Sequence, residues 1–584
     1  MPGLPETSRT TVLIIGGGPT GLTAALLLAS HGLRITVVER HTSRTAQPKA
    51  HAINPRSLEI FRQLGLDTAQ LRAGDGVPPA DGDTVRFAVS MAGRELGTLP
   101  YERQGEETLE ITPEPLFNVP QPRLEDWLLR AVERCGLVEY FEGVQWEECT
   151  SATSSTEEKE DGYGGAVLTS TLLNRSTNTT HTVHSLYILD CGGANSRARS
   201  KLAIPFEPLP EYVQNEVHHV SVHIRADLSA FPPSTLLWAV SPEVEGTFIC
   251  YGRKTDWVFV TYYNPRETPR ERFDEAAIGE KVSYEIQSIT VWSTWPRTAE
   301  VYESPRFPGH AFVVGDAAHA FPPTGGLGVN TGIADAHNLV WKIAAVEKGW
   351  TKRGRRGANG INGSVVNGNS SSSNASLLAS YHAERRPIAV ANARQSVKNQ
   401  VKLFKLKAAL RGPPEVGEDA YGAWKQRLDA ELENNREHFD SINLQIGYVY
   451  ADKEAQSAPP CDCYIPSGVP GARLPHTWVS PLRGENGNSK GRVSVLDLVD
   501  GTSFALFVGA GDWDGLDALD KSPVPIRVLR LGVDFEVADP SWLDVVGLSG
   551  DGKGLLVRPD QHILGSVRGV ADVEALLEGL LSPR

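Results

Sequence analysis

The stretch TVLIIGGGPTGLTAALLLASHGLRITVVE, residues 11–39, restricts the possible folds more than any other part of the chain. Its first five residues are rich in apolar and β-branched types and predict a short buried strand, and GGGPTG follows directly. The residues LTAALLLASHG predict a helix that ends at Gly32, and RITVVE predicts a second strand that ends at Glu39. A strand, a glycine-rich turn, a helix and a strand in this order predict a Rossmann-like dinucleotide-binding unit.

Each glycine of the GxGxxG pattern has its own physical role. Gly16 lets the chain turn tightly, Gly18 lets backbone N–H groups approach a pyrophosphate, and Gly21 lets helix and strand pack closely. The helix N-terminus adds the partial positive charge that phosphates need. Glu39, about 20 residues further on, is placed to accept hydrogen bonds from an adenosine ribose. The pattern therefore predicts an adenine dinucleotide and leaves FAD and NAD both open.

A second stretch, GDAAHAFPPTGGLGVNTG at residues 315–332, follows another buried strand, AFVV. Asp316 therefore stands at a strand end, where open α/β sheets bind ligands, and its carboxylate can accept from a ribityl or ribose hydroxyl. The residues after it fix the backbone or remove side chains from a flat surface: Pro322, Pro323, Gly325, Gly326 and Gly328. A helix is then predicted, with its first amides near Val329 and Asn330. A helix N-terminus suits a flavin, because reduced flavin carries negative charge at its pyrimidine edge.

These motifs, in their order along the chain, resemble those of one enzyme family. GGGPTG with Glu39 and Arg40, the helix start at Gln121, GDAAHAFPPTGGLGVNTGIADAHNLVWK and LLASYHAERRP are similar to the FAD-dependent aromatic hydroxylases. These are single-component flavoprotein monooxygenases of the p-hydroxybenzoate hydroxylase and phenol 2-monooxygenase type. The resemblance implies FAD bound tightly but non-covalently, NADPH as a transient co-substrate, and O2. It also implies hydroxylation of a phenolic or polyketide-like small aromatic substrate through a flavin hydroperoxide.

Two other functions stay open at this point. The first is epoxidation or Baeyer–Villiger insertion on a non-aromatic or dearomatised substrate, because one fold serves several such reactions. The second is a flavin-binding protein without turnover, and one departure from the family favours it. In YILDCGGANSRAR, Gly192 stands where the family has an aspartate, and Asp190 stands where it has a glycine. Either Asp190 partly substitutes, or the handling of the pyridine nucleotide is weakened.

The resemblance also assigns roles to single residues. His51 aligns with a family position on the substrate side of the flavin, and its titration range makes it our candidate catalytic base. The alternative for His51 is a structural bond to neighbouring backbone. The backbone carbonyl of Pro323 would face the substrate. Cofactor contacts are implied for fourteen residues: Gly16, Gly18, Thr20, Gly21, Glu39, Arg40, Lys49, Gln121, Asp316, Gly326, Leu327, Gly328, Val329 and Asn330.

Residues 216–265 alternate between polar and apolar types and are rich in β-branched and aromatic residues, which predicts an antiparallel sheet. By resemblance this sheet covers the active site. Trp238, Tyr251 and Tyr262 are candidates for the wall of the substrate pocket, with ordinary sheet core as the alternative.

The predicted fold class is therefore α/β, with a Rossmann-like FAD-binding domain interrupted by a β-sheet substrate domain. Segments such as LQIGYVY, GVPGARLPH and VSVLDLVDGTSFALFVG resemble a C-terminal thioredoxin-like domain, here without CxxC. The predicted bounds are 1–80, 115–205 and 295–400 for the FAD-binding domain (with a flexible insertion at about 351–376), 81–114 and 206–294 for the substrate domain, 401–440 for a helical connector, and 441–584 for the thioredoxin-like domain.

Composition excludes several kinds of partner. A formal net charge of −14 argues against nucleic acid or an anionic membrane, and no apolar run reaches the roughly 18 residues that span a bilayer. The six cysteines do not make a disulfide framework, and the N-terminus lacks a signal-peptide pattern. We expect a cytoplasmic protein without a metal site. The connector helices are expected to contact the neighbouring domains or a second copy of the chain in a homodimer.

Overall fold

The structure of the chain is a computed structural model. It describes residues 4–43, 51–73, 82–151, 168–212, 216–241, 244–262, 275–351, 373–410, 418–450, 460–482, 491–511 and 513–582. In this part of the chain, no helix has both the length and the apolar character that crossing a bilayer requires. The predicted insertion at about 351–376 falls mostly outside these residues.

The strands, in chain order, are β1 (Thr7–Ile15), β2 (Ile35–Glu39), β3 (Ala52–Ile53), β4 (Thr84–Ala88), β5 (Glu95–Pro100), β6 (Phe117–Asn118), β7 (Val138–Glu142), β8 (Val144–Ser151), β9 (Leu168–Asn174), β10 (Thr179–Asp190), β11 (Phe206–Pro208), β12 (Val217–Ala226), β13 (Leu236–Val240), β14 (Glu245–Gly252), β15 (Asp256–Tyr262), β16 (Tyr284–Thr294), β17 (Arg297–Ala299), β18 (Ala311–Val313), β19 (His319–Ala320), β20 (Trp478–Pro481), β21 (Val493–Ser494), β22 (Phe504–Val508), β23 (Ile526–Arg530), β24 (Phe535–Val537), β25 (Gly554–Val557) and β26 (Ile563–Val567).

The α-helices are α1 (Pro19–Ser30), α2 (Pro55–Gln63), α3 (Thr68–Arg72), α4 (Gln121–Arg134), α5 (Arg197–Lys201), α6 (Gly328–Glu347), α7 (Ser373–Leu410), α8 (Glu418–Asn434), α9 (Arg436–Phe439), α10 (Ile442–Ile446), α11 (Ser541–Val545) and α12 (Val570–Leu581). Short 3₁₀ turns lie at Glu106–Glu110, Pro210–Tyr212, Glu275–Ala277, Gly315–Ala317, Val495–Leu498 and Leu516–Lys521.

The first sheet brings three strand ends to one edge. Its order is β7-β2-β1-β10-β9-β8, and β18 pairs with the end of β10. Strands β2, β1, β10 and β18 run parallel, and the register places Ile15 beside Asp190 and Asp190 beside Val313. The chain segments that follow β1, β10 and β18 therefore leave the sheet side by side. Because ligands bind at the carboxyl ends of parallel strands in open α/β sheets, this edge is where a bound dinucleotide is expected.

The second sheet combines strands from two distant parts of the sequence. Its order is β16-β12-β15-β14-β13-β4-β5, with β4 pairing parallel to β13 and most other neighbours antiparallel. Side chains on one face pack together with Leu228 and Ile278 in a core of their own. Side chains on the other face, including Phe87, pack against α7 and α8. The central strands of the sheet are thus covered on both faces, which agrees with the continuous apolar run LLWAV in β13.

The end of α7 and the whole of α8 lie within residues 401–440, where a helical connector is predicted, and they pack onto this second sheet. Trp424, Leu428 and Leu432 are buried there, as the helical spacing of these residues predicts. Tyr421, which the same spacing places with them, is 41% exposed. It lies in the first turn of α8, before the helix reaches the sheet. The apolar face of α8 therefore contacts the chain's own sheet.

The C-terminal part contains a sheet of order β23-β22-β25-β26, in which β22 and β23 are parallel and the other pairs antiparallel. This part contacts the first domain through buried charges. Glu59 on α2 accepts from Arg473 Nε at 2.8 Å and from Arg56 at 3.1 Å, and all three side chains are almost fully buried. Because a buried ion pair must be satisfied on all sides, this contact fixes the relative position of the two parts.

Candidate active site

The glycine-rich turn after β1 requires glycine at two positions for different steric reasons. Gly16 has φ +106°, and a Cβ there would lie 2.4 Å from the carbonyl oxygen of Cys191. A Cβ at Gly21 would lie 2.0 Å from the carbonyl oxygen of Gly16, so only glycine lets α1 approach the turn. A Cβ at Gly18 would meet no atom within 4 Å. Gly18 therefore borders open space at the start of α1, the position that a phosphate requires.

Glu39 at the end of β2 faces this turn. Its Oε2 accepts from the amide of Gly17 at 2.9 Å, and its Oε1 accepts from the amide of His41 at 2.9 Å. A carboxylate has about four lone-pair sites, so two amide bonds leave capacity for ribose hydroxyls. Arg40 is half-buried beside it, with Nε 3.2 Å from Nε2 of His41.

A cavity of about 240 Å³ lies between the segments that follow β1, β2 and β10. Its walls include residues of the glycine turn, the end of β2, the start of α4 and the segment before α5: Gly16, Gly17, Gly18, Glu39, Arg40, Gln121, Gly192, Gly193, Ser196 and Arg197. Gln121 donates to Glu125 at 2.8 Å along one turn of α4. The predicted contact Lys49 lies outside the described residues. The open space at Gly18 and the polar walls fit the adenosine and pyrophosphate parts of FAD.

Thr20 connects the glycine turn to the segment after β18. A Cβ at Gly315 would lie 2.9 Å from Oγ1 of Thr20, and a Cβ at Gly332 would lie 2.6 Å from the same oxygen. Both glycines therefore make room for Thr20. Asp316, next to Gly315, is exposed at the carboxyl end of β18, and its Oδ1 lies 4.0 Å from the Cβ position of Gly328. Asp316 thus lies beside the start of α6, and its contact with the cofactor stays a prediction.

The residues before α6 form a tight turn that ends at the helix N-terminus. The carbonyl of Pro323, which the resemblance places towards the substrate, accepts from the amide of Gly326 at 2.9 Å, and its ring is exposed. Gly326 has φ +62°, so a side chain there would be strained. Leu327 is buried and precedes the first helical residues, Gly328 and Val329. Helix geometry leaves the first amides without an intrahelical acceptor, so they are available to an anionic ring edge.

The side chain of Asn330 is occupied by protein groups, so its predicted cofactor contact stays with the backbone amide. Its Oδ1 accepts from the amide of Asn54 at 3.0 Å and from the hydroxyl of Ser57 at 2.7 Å. Its Nδ2 donates to the carbonyls of Ala52 at 2.9 Å and Gly326 at 2.7 Å. The side chain therefore joins the turn before α6 to the segment that begins with His51. Only its backbone amide remains for a cofactor.

His51 lies between this turn and the second sheet, and its partner is a side chain. Its Nδ1 is 2.9 Å from Oδ1 of Asn118, which also accepts from the hydroxyl of Tyr101 at 3.1 Å. An amide oxygen only accepts, so we assign the His51 proton to Nδ1 and the lone pair to Nε2. Among the described residues, the hydrogen bond found for the His51 ring is the one at Nδ1, which leaves Nε2 as the accepting nitrogen. Burial lowers the pKa of His51, so its ring is neutral near pH 7.

Of the three predicted pocket residues, Tyr251 comes close to His51. The two ring centres are 6.2 Å apart, edge to face. The Tyr251 hydroxyl is buried, and no hydrogen-bond partner for it occurs among the residues that the structure describes. Burial raises the pKa of Tyr251, so the hydroxyl keeps its proton and stays a donor.

Trp238 and Tyr262 lie on the same sheet face but further from His51. The ammonium of Lys407 on α7 lies 5.1 Å from the ring centre of Trp238 and 4.1 Å from that of Tyr262. Lys407 also pairs with Glu245 at 2.9 Å. The ring centres of Trp238 and His438 are 6.4 Å apart, edge to face. These two aromatic residues therefore contact the connector helices, and the sequence did not indicate Lys407 or His438.

Sequence reasoning also missed Asn118 and Tyr101. Asn118 lies in β6, a two-residue strand that pairs with β3 and places Asn118 opposite Ala52. Its only signal in the sequence is its position three residues before Gln121. Arg199, on α5 after the same segment as Asp190, is buried and donates to the carbonyls of Ala317 at 2.9 Å and Ala194 at 3.0 Å.

Comparisons with known proteins agree with this geometry. The family model described as the FAD binding domain matches residues 9–356. Phenol 2-monooxygenase from Pseudomonas sp. (strain EST1001) is 27% identical, with 98% of this chain and 92% of that protein covered. Tetracenomycin A2 monooxygenase-dioxygenase from Streptomyces glaucescens is also 27% identical, with 96% and 93% covered. The crystal structure of the flavin-dependent monooxygenase PieE in complex with FAD and substrate is similar with a TM-score of 0.81 at 26% identity, covering 98% of each chain.

The family match spans more than half of the 584 residues. The predicted resemblance to the FAD-dependent aromatic hydroxylases and the predicted use of FAD are confirmed. The mixed α/β class of the fold is confirmed as well. The chain belongs to the FAD binding domain family, and it is an FAD-dependent monooxygenase.

Proposed function

We propose that this monooxygenase hydroxylates a phenolic or polyketide-like aromatic substrate, with NADPH as electron donor and O2 as the second substrate. The names of the relatives, which refer to phenol and to tetracenomycin A2, support this substrate class. The observation that carries the proposal is the group around His51. A neutral imidazole with its Nε2 lone pair available lies beside a buried tyrosine hydroxyl without a partner among the described residues. A phenol supplies both the proton for the base and the oxygen for the donor.

His51 is the proposed catalytic base. The bond from Nδ1 to Asn118 fixes the tautomer, so that Nε2 accepts the proton of the substrate hydroxyl. The lowered pKa of His51 keeps the ring in its proton-accepting form at neutral pH. A phenol that has lost its proton has a more electron-rich ring, which is the property that electrophilic oxygen transfer requires.

Tyr251 is the proposed donor to the substrate oxygen. A buried hydroxyl without a partner costs free energy, on the order of 1–3 kcal/mol. A substrate oxygen that accepts from Tyr251 removes this cost and retains negative charge after proton transfer to His51. The adjacent sheet face, with Trp238 and Tyr262, excludes water on the side of the connector helices.

The cofactor contacts are proposed from the same geometry. When bound and reduced, FAD supplies the electrons that activate O2. Gly16, Gly18 and the N-terminus of α1 would bind the pyrophosphate, and Glu39 would accept from the ribose. The amides of Gly328 and Val329 would face the pyrimidine edge of the ring system.

We also propose that residues 441–584 form a thioredoxin-like domain. The support is the strand order β23-β22-β25-β26, with one parallel and two antiparallel pairs and with α12 following the last strand. The absence of CxxC from its sequence supports a structural role. The predicted domain bounds, the homodimer and the cytoplasmic location stay predictions.

The test is NADPH oxidation by the purified yellow protein across a panel of phenols and aromatic polyketides, with product mass and peroxide release followed in parallel. We expect at least one compound to accelerate NADPH oxidation and to gain one oxygen atom. His51→Gln is expected to slow product formation while flavin reduction by NADPH stays comparable, because His51 contacts the substrate side.

Other outcomes would change the proposal. A product with an inserted ring oxygen or an epoxide would replace hydroxylation by the related oxygenations. If NADPH fails to reduce the flavin with every compound, the protein either uses another reductant or binds flavin without turnover. A His51→Gln variant with full activity would remove the base from the mechanism.

A further inference from the structure

We infer that Asp190 is a positioning residue of the FAD site, and that positions 190 and 192 are alternative places for one carboxylate in the same loop. The 190–196 loop is the segment between β10 and α5. The inference rests on the binding of FAD and is independent of the NADPH and substrate parts of the proposed function.

The carboxylate of Asp190 is directed into its own loop. Asp190 is fully buried, its Oδ1 accepts from the amide of Gly192 at 2.9 Å, and its Oδ2 accepts from the hydroxyl of Ser196 at 2.6 Å. Ser196 in turn accepts from the amide of Arg199 at 3.1 Å and so caps α5. One side chain therefore fixes both the middle of the loop and the start of the next helix.

The place of Gly192 is defined by this same carboxylate. A Cβ at Gly192 would lie 2.9 Å from Oδ1 of Asp190 and 3.2 Å from the hydroxyl of Ser196. A side chain at 192 would thus begin in the space that the Asp190 carboxylate occupies. Two carboxylates in this space would clash and would repel each other in a buried site. With glycine at 190, a carboxylate at 192 would start within reach of Ser196 and would replace the missing one.

The loop that Asp190 fixes forms a wall of the cofactor cavity. Gly192 and Gly193 line this cavity together with Gly16 and Gly18. The carbonyl of Cys191 lies so close to Gly16 that a Cβ there would come within 2.4 Å of it. A displaced 190–196 loop would therefore displace the glycine turn or change the width of the cavity. Asp190 acts on the cofactor through the backbone, since its oxygens already bond within the loop.

Four proteins test the inference: the unchanged chain, Asp190→Gly, Gly192→Asp and the double variant. The measurement is the dissociation constant of FAD from the apoprotein, followed by flavin fluorescence, together with the thermal midpoint of each apoprotein. Each single change is expected to weaken FAD binding about 10- to 100-fold, the size of a lost hydrogen bond to a charged group. The double variant is expected to return to within about threefold of the unchanged chain, since it again has one loop carboxylate.

Asp190→Asn provides a milder variant if a single change prevents folding. Its amide oxygen still accepts from Gly192, whereas its NH2 group can only donate towards Ser196. We expect a loss of FAD affinity smaller than that of Asp190→Gly. A double variant that binds FAD as weakly as the two single losses combined, or that does not fold, would overturn the inference. So would an Asp190→Gly variant with unchanged FAD affinity. The substrate panel with NADPH is a separate experiment, so failure of the proposed function would not affect this result.

Discussion

The bond between His51 and Asn118 gives the most direct test of the proposed base. Asn118→Asp keeps an acceptor oxygen 2.9 Å from Nδ1 of His51 and adds a negative charge. A carboxylate within about 4–6 Å raises the pKa of a histidine by about 1–3 units. Burial lowers the pKa of His51 in the unchanged chain, so the ring is neutral at pH 7. In the variant, the ring is expected to lose its proton at a higher pH than in the unchanged chain, because the added carboxylate raises the pKa of His51.

The sign of the effect on catalysis follows from the role of the base. A protonated His51 accepts no proton, so hydroxylation by Asn118→Asp is expected to be lost at a higher pH than in the unchanged chain and to recover above the raised pKa. The acid limb of the pH profile should therefore move upwards by about 1–3 pH units. Asn118→Leu removes the acceptor instead. It leaves two donors, on His51 and Tyr101, without their shared partner, and activity should fall at every pH by about 1–3 kcal/mol of barrier.

The assay is kcat/KM for product formation between pH 5.5 and pH 9.5, at saturating NADPH and O2. Absorbance of the bound substrate as phenol or phenolate gives a second readout that needs no turnover. Tyr101→Phe is the matched control, because it removes the second donor to Asn118 while the bond to His51 stays. An acid limb that stays in place in Asn118→Asp, with the fold intact, would refute the assignment of His51 as the base.

Three further predictions concern stability and FAD binding, two of them with a control variant. Gly16→Ala places a methyl group against backbone at a positive φ, so it should lower the unfolding free energy by about 1–3 kcal/mol and also weaken FAD binding. Gly18→Ala should weaken FAD binding without a loss of stability, because a Cβ at Gly18 meets no atom within 4 Å. Urea unfolding and FAD titration measure the two effects separately, and equal stability losses in the two variants would contradict the reasoning. Glu59→Gln leaves two buried guanidinium groups without their anion and should cost about 3–5 kcal/mol in urea unfolding, while Glu433→Gln, in an exposed pair, should change little. Burial lowers the pKa of His438 from 6.5 to about 3, so the unfolded chain binds more protons and stability falls as pH drops below 6.5. His438→Phe should therefore make the unfolding free energy decrease less steeply between pH 6.5 and pH 4, by up to about 1.4 kcal/mol per pH unit. The same slope in the variant and the unchanged chain would show that His438 does not titrate this way.

The cofactor side of the site was predictable because its signals are local. The positive φ of Gly16 and the steric demand at Gly21 arise within one turn, and the position of Asp316 follows from the strand before it. Strand ends of one parallel sheet meet at one edge, so two such motifs far apart in sequence are expected side by side. Apolar spacing likewise predicted the buried face of α8 at Trp424 and Leu428.

The substrate side was less predictable because its contacts join short and distant segments. The strands that place Asn118 opposite Ala52 have two residues each, too few for any periodicity to appear. Alternation in the second sheet predicts that Trp238 and Tyr262 share a face. It does not predict that this face contacts Lys407 of α7, because Lys407 comes more than a hundred residues later in the sequence.

The four bonds of Asn330 have a consequence for how the two halves of the site communicate. One side-chain amide joins the turn that we propose to border the flavin to the backbone next to His51, so a shift of the turn would also move this backbone. We therefore expect FAD binding and the alignment of His51 to be coupled through this side chain. Such an apoprotein is expected to bind its aromatic substrate poorly until the flavin is bound. The Asn330 side chain would then determine the order in which cofactor and substrate bind.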